Sequence, residues 1–191
     1  DLFGYSVALN ADGNILAIGA YDEGSAAGID GAFDAKLGGS GAVFVYARNG
    51  TNWTRQAFLK AREQDRNDSM GSSVAISEDG NTIVAGAADE DTLTTGINAA
   101  KAGDSGQSDG PDANSSGAVY VFVRNGTSWT QQANFKASNA GKNDWFGVKL
   151  ALSGNGRMMV VGAHSEDSAA RGVNGNQADN SGDDSGAAYV F

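Results

Sequence analysis

The chain has 191 residues, of which 40% are hydrophobic, with 28 glycines, a single proline (Pro111) and no cysteine. That composition fits a turn-dense all-β fold, argues against collagen, which needs a strict glycine period, and removes disulfides and thiolate metal sites. The formal net charge of −10 argues against nucleic acid as a partner, because phosphate affinity comes from clustered Lys and Arg, and no apolar run approaches the roughly 20 residues of a membrane span.

In chain order, Ser6-Val7-Ala8-Leu9 and Ile15-Leu16-Ala17-Ile18 are short apolar runs on either side of the turn-forming Asn10-Ala11-Asp12-Gly13-Asn14, which predicts a hairpin. Asp12, and Asp79 in the next unit, read as turn formers before glycine. A third strand is predicted at Ala42 to Ala47, and Asn49-Gly50 turns it into a fourth running from Trp53 to Lys60. Near-continuous apolarity in the first two strands predicts cover on both faces. The fourth alternates, with Trp53, Arg55, Ala57 and Leu59 on one face and Thr54, Gln56, Phe58 and Lys60 on the other, as expected of an outer, half-solvated strand.

The pattern then recurs. Phe3-Gly4 returns as Met70-Gly71 and Phe146-Gly147, Gly19-Ala20 as Gly86-Ala87 and Gly162-Ala163, and Ser40-Gly41 as Ser116-Gly117 and Ser185-Gly186. Four antiparallel strands per unit of about 70 residues is the layout of a β-propeller blade. Blade 1 is predicted over 1–67, blade 2 over 68–143 and a partial blade 3 over 144–191, whose outer strand does not follow Ala187 to Phe191. Such a piece belongs in a larger ring or in an assembly that completes one.

The interval from Gly4 to Gly19 is 15 residues in every unit, and from Gly41 to Gly71 and Gly117 to Gly147 it is 30. All length variation falls between strands two and three, where the intervals are 22, 31 and 24 residues. Loops that vary on a constant frame are where repeat proteins usually bind. These loops hold 15 of the 23 acidic residues against Lys36, Lys101 and Arg171, a loop charge of −12 with +2 elsewhere. A glycine-rich acidic loop can wrap a hard cation, which takes six to eight oxygen ligands. Calcium candidates are Asp22, Glu23, Asp30 and Asp34; Glu90, Asp91, Asn98 and Asp104; and Glu166, Asp167, Asn174 and Asp179. The bland alternative is a solvated loop whose Asp and Asn form turns.

Phe3-Gly4, Ala17-Ile18-Gly19-Ala20 and Ser40-Gly41-Ala42-Val43-Phe44-Val45-Tyr46, repeated as Phe146-Gly147, Val161-Gly162-Ala163 and Ser185 to Phe191, resemble FG-GAP repeats, the blades of the integrin α-subunit propeller and of many bacterial surface proteins. The Asn-Gly-Thr-x-Trp hairpin followed by Gln-Ala and Lys-Ala is most similar to the bacterial branch. The resemblance implies an extracellular adhesion or recognition module with a protein or glycan ligand. It also implies that the loops between strands two and three share the ligand face with the blade connections, which adds Arg62, Arg66 and Lys142. Integrin blades hold calcium in the turn between strands one and two; here that turn is short, so that site is not carried over.

Trp53 and Trp129 recur at one position and read as packing between blades, whereas Trp145 breaks the pattern and is an exposed ligand-binding candidate. Catalysis finds little footing. His164 is the only histidine, and its counterparts are Tyr21 and Ala88, so a triad with Ser165 and Asp167 is not supported. The chain is therefore expected to be no enzyme. The alternatives are a structural subunit of a surface fibre or sheath, self-assembling through the incomplete third blade, and the non-catalytic propeller domain of a secreted hydrolase. Sequons occur at Asn49, Asn52, Asn67, Asn114 and Asn125.

Overall fold

The computed structural model describes residues 1–25, 29–30, 38–63, 65–98 and 115–191. These form an all-β fold of three antiparallel sheets with no helix among the described residues. Sheet 1 is β1 (Ser6–Leu9), β2 (Ile15–Ala20), β3 (Ala42–Asn49) and β4 (Asn52–Leu59), in that order. Sheet 2 contains β5 (Met70–Ile76), β6 (Thr82–Ala87), β7 (Gly96–Ile97), β8 (Ala118–Asn125) and β9 (Ser128–Lys136), ordered β5-β6-β8-β9-β7. Sheet 3 is β10 (Lys149–Leu152), β11 (Met159–Ala163) and β12 (Ala187–Val190). Antiparallel sheets of four, five and three strands are compatible with partial propeller blades, the last lacking an outer strand among the described residues.

The tight turns form as their residues dictate. Asn10 Oδ1 accepts the N–H groups of Asn14 and Ile15 at 3.0 and 2.8 Å, and Asp12 Oδ1 accepts Asn14 N–H at 2.9 Å. Ser77 and Asp79 reproduce this before β6, with Asp79 Oδ1 taking the Ser77 hydroxyl and Asn81 N–H. These hydrogen bonds hold the Asp12 and Asp79 carboxyls below the usual carboxylate range. Both aspartates are turn formers.

Adjacent sheets approach backbone to backbone. Ser6 Oγ donates to Gly71 O at 2.7 Å and Ser73 Oγ to Gly147 O at 2.6 Å. A side chain on Gly19 or Gly86 would overlap those same carbonyls, so neither of these two glycines tolerates a Cβ. Between sheets 1 and 2 lie Ala17, Val43, Val45, Leu59, Ile83, Tyr120 and Phe122; between sheets 2 and 3 lie Val84, Val119, Phe146, Met159, Val161 and Tyr189.

Three features depart from the sequence reading. β4 carries a β-bulge: Val45 pairs with Ala57 but Tyr46 pairs with Arg55, leaving Gln56 as the extra residue. The bulge reverses the alternation, so Trp53 and Arg55 share a face with Phe58 and Lys60 rather than with Ala57 and Leu59. β9 is bulged at Gln132 in the same way. Lys60, at the end of a strand expected to be half-solvated, is completely buried. Finally, Gly96-Ile97 of the longest loop pairs with Phe135 and Lys136 and adds a fifth strand to sheet 2.

The first strand is covered on both faces only where a sheet stands on either side. β5 has one neighbour on each side, whereas on β1 the outward Val7 and Leu9 are 63% and 55% exposed. With Leu2, Phe3 and Tyr5 they give sheet 1 an aromatic-rich apolar end face. At the other end of the array, Met158, Val160 and Val190 of sheet 3 are exposed.

Candidate functional site

The loops joining the second and third strands run beside the connections between sheets, and backbone hydrogen bonds tie the two together. Asn67 N–H and Ser69 N–H donate to the carbonyls of Gly38 and Gly39, and Trp145 N–H donates to Ser115 O. Asn67, Ser69, Asn143 and Trp145 all take positive φ, between 58° and 63°, as the chain bends into the next sheet. Buried aspartates brace these connections: Asp68 Oδ2 accepts Asp65 N–H at 2.7 Å and Asp144 Oδ2 accepts Gly141 N–H at 2.6 Å. Burial raises the Asp144 carboxyl above the usual aspartate value, and the Glu166 and Asp167 charges add to this.

Each loop begins with a glutamate that turns inward. Glu23 is buried, and its Oε2 accepts Lys60 Nζ at 2.8 Å while Oε1 accepts Ser25 N–H at 3.0 Å. Lys60 Nζ also donates to Ser40 Oγ at 2.8 Å. Burial pushes the Glu23 carboxyl up, but the bonds from Lys60 and Ser25 and the Lys60 charge outweigh it, and the group is held below the usual glutamate value. Sheet 2 repeats the arrangement with Thr92 in the place of Ser25. Lys136 Nζ contacts Glu90 Oε2 and donates to Ser116 Oγ at 2.8 Å, and Thr92 Oγ1 donates to Glu90 Oε1 at 2.6 Å.

In sheet 3 the glutamate and serine are present, and among the described residues no lysine bonds to them. Glu166 is 3% exposed, and Ser185 Oγ donates to Glu166 O at 3.0 Å, as its counterparts do. Among the described residues the side chain bonded to the carboxylate is Asn139, whose Nδ2 donates to Oε1 at 2.7 Å. Burial, with the Glu166 and Asp144 charges, pushes the Tyr189 hydroxyl well above its ordinary value, so it remains a donor and bonds Asn139 Oδ1 at 2.7 Å.

Residues 129–191, from the outer strand of sheet 2 to the end of sheet 3, match the family model described as the FG-GAP repeat. Over this segment the chain is similar to an FG-GAP repeat. No curated protein gives a significant match. The FG-GAP match begins one strand before its sheet: the sequence unit runs from Trp129, in the outer strand of sheet 2, to Phe191, whereas the packed sheet 3 starts at β10. The two preceding units carry the same landmarks, Phe3-Gly4 and Met70-Gly71, Ser40-Gly41 and Ser116-Gly117.

Around this frame the predicted site residues separate into three groups. Glu23, Glu90 and Glu166 point into the interior, the first two onto lysines. Asp30 and Asn98 clamp outer strands: Asp30 Oδ1 accepts Phe58 N–H at 2.8 Å, Asn98 Oδ1 accepts Asn134 N–H at 3.2 Å, and both take positive φ. Asn174 has the same backbone geometry, with φ 56°. Asp167 Oδ1 and Asp179 Oδ1 accept loop N–H groups of Asp184 and Ser181 at 2.9 and 3.1 Å. Asp22 is exposed and Asp91 half-buried. Asp34 and Asp104 lie outside the described residues, as do Lys36, Lys101, Asp109, Asp112 and Asn114. Among the described residues no three acidic or histidine side chains converge as a metal would require.

Of the ligand-face candidates, Arg62 is held by its neighbour sheet: its N–H donates to Gln131 Oε1 at 2.9 Å and its Nη2 to Gln131 O at 2.8 Å. Arg66 and Lys142 are exposed on the connections. Trp145 is 37% exposed and meets His164 edge-on at 4.9 Å. The residues missed by sequence reasoning are Lys60 and Lys136. Their recurrence before alanine, each in step with one loop glutamate, was the available signal.

Proposed function

We propose that the chain acts as a non-catalytic recognition module outside the cell, meeting a protein or glycan ligand on the face formed by the acidic loops and the sheet connections. The observation that carries this is the bonding of loops to connections, which ties Trp145 to Ser115 of the second acidic loop, while its ring meets His164 at the start of the third and Lys142 lies on the same connection. An exposed indole edge with amide-rich loops around it suits sugar stacking and hydrogen bonding, or a polar protein surface. The FG-GAP match supports a propeller-type, integrin-like module. No helix among the described residues is long and apolar enough to cross a membrane.

The test is binding of the purified chain to a glycan array and to extracellular matrix proteins, with Trp145→Ala alongside. Saturable binding weakened at least tenfold by Trp145→Ala supports the loop face; binding unchanged by it overturns that placement. Because Glu23 and Glu90 are engaged by lysine, bound calcium would draw on Asp22, Asp91 and Asp167 with backbone carbonyls. Calorimetric titration of EDTA-stripped protein with calcium, paired with thermal melts, tests this. Saturable heat and a raised Tm support calcium-dependent recognition, and neither effect overturns it.

A further inference from the structure

The outer strands of sheets 1 and 2 carry the same Trp, Thr, Gln, Ala and Lys at matching positions, Trp53 to Lys60 against Trp129 to Lys136. Three positions differ, and at two of them sheet 2 has amides: Gln131 where sheet 1 has Arg55, and Asn134 where it has Phe58. Both amides line a cavity of about 290 Å³ beside β9, bounded also by Arg62 and Glu63 of the connection from sheet 1 and by Asn98, just after β7. The cavity is thus a feature of sheet 2 and not of the repeated frame.

Its lining is held by hydrogen bonds that leave ligand-binding atoms uncommitted. Gln131 is 7% exposed and joins both charged residues to the strand: its Oε1 and backbone O accept Arg62 N–H and Nη2 at 2.9 and 2.8 Å, and its Nε2 donates to Glu63 Oε2 at 2.7 Å. Asn98 is fixed by a two-way pairing, with its N–H donating to Asn134 O at 2.9 Å and its Oδ1 accepting Asn134 N–H at 3.2 Å. Arg62 Nη1, Glu63 Oε1 and Asn98 Nδ2 form no hydrogen bond among the described residues. Donors and an acceptor are therefore set around one small space by a preformed network, which spares a ligand the cost of ordering them.

We propose that this cavity binds one neutral hexopyranose residue of a glycan, with ring hydroxyls meeting Glu63 Oε1 and the N–H groups of Arg62 and Asn98. A hydroxyl both donates and accepts, so a single polyhydroxylated ring satisfies the carboxylate and the N–H donors together. Sites for drug-sized ligands are lined mostly by apolar side chains, whereas the apolar lining here is Ala133, which suits the C–H edge of a sugar and little more. The Arg62 and Glu63 charges cancel, so a uronic acid or an amino sugar would bring a charge that one of the two repels. The assignment rests on the reading of the loops and connections as a recognition face, and gives that face a ligand class and a seat apart from Trp145.

The test titrates the isotope-labelled full chain with the methyl glycosides of glucose, galactose and mannose, and follows the side-chain amide signals of Asn98, Gln131 and Asn134 by NMR. At least one of these sugars is expected to shift the three signals saturably, with glucuronic acid, glucosamine and free glycine binding at least fivefold more weakly. Glu63→Gln keeps an acceptor for Gln131 but turns the outward acceptor into a donor, and is expected to weaken the sugar at least fivefold. An unchanged Tm verifies that this variant folds, and the shifts on the parent chain stand without any variant. The proposal is overturned if none of the three glycosides shifts these amides, if a charged compound binds as tightly, or if Glu63→Gln retains the parent affinity. Sugar-induced shifts confined to the surroundings of Trp145 would overturn this seat while supporting the recognition face.

Discussion

Trp129 Nε1 and Gln56 Oε1 lie 3.0 Å apart, joining the outer strand of one sheet to the bulge of the sheet before it. The indole is 5% exposed, and removing its N–H leaves Gln56 Oε1 with the long bond from Arg124 Nη1 at 3.4 Å. Trp129→Phe is expected to lower unfolding free energy by about 1–2 kcal/mol, measured by urea denaturation. Trp53 occupies the same repeat position but is 41% exposed on the end face. Trp53→Phe should change stability by less than about 0.5 kcal/mol, as surface substitutions do.

Removing one half of the buried Glu90–Lys136 pair leaves a desolvated charge. Lys136→Met should cost about 3–5 kcal/mol, and Glu90→Gln a similar amount. The double variant should cost clearly less than the two together, because neither charge then remains buried alone. A double-mutant cycle in urea measures the coupling, and strict additivity would show that the pair does not act as a unit.

The glycines of the second and third units occupy the same repeat position with different surroundings. A methyl group at Gly86 would strike the Gly147 carbonyl, whereas at Gly162 its nearest neighbour is Lys149 Cβ at 3.6 Å, an ordinary contact. Gly86→Ala should therefore destabilise by about 1–3 kcal/mol, the usual cost of overpacking. Gly162→Ala should be near neutral. Thermal melts of the two variants distinguish a requirement of the packed array from one of the single strand.

Two buried carboxylates should respond to acid with opposite signs. The Glu23 carboxyl is lowered in the folded state, so its contribution is complete above the ordinary glutamate value of 4.5 and is lost as pH falls through the folded value. Asp144 is raised, so its ionised form opposes folding above the folded value, and that penalty disappears as pH falls toward 3.8. The stability lost by Glu23→Gln, relative to the parent, should shrink between pH 7 and pH 3. Asp144→Asn should gain on the parent at pH 7 and lose that gain at pH 3. Urea denaturation across this range checks both slopes.

Strand identity and order were legible because the turns use residues whose own side chains make the turn, as Asn10 and Asp12 do, and because Gly19 and Gly86 mark close backbone approach. The face reversal in β4 was not, since one bulged glutamine inverts a period-two pattern without altering composition. Nor was the depth of Lys60: a lysine after an apolar run reads as the solvated end of a strand unless its partner is known. Glu23 looked like a cation ligand for the matching reason, because sequence shows a carboxylate's neighbours along the chain and not the lysine 37 residues away that neutralises it.

The lysine–glutamate contact also rejects misaligned strands. Side chains alternate along an extended chain, so a slip of one residue would turn the ammonium away from its carboxylate and leave two buried charges unmatched. A slip of two would restore the face but displace the ammonium by about 7 Å, beyond hydrogen-bonding reach. Apolar packing alone would tolerate several alignments of Ala57 or Ala133 against the valines behind them. The pair thus converts a permissive greasy contact into a single permitted alignment, and in sheet 2 Trp129, seven residues before Lys136, checks that alignment from the opposite end.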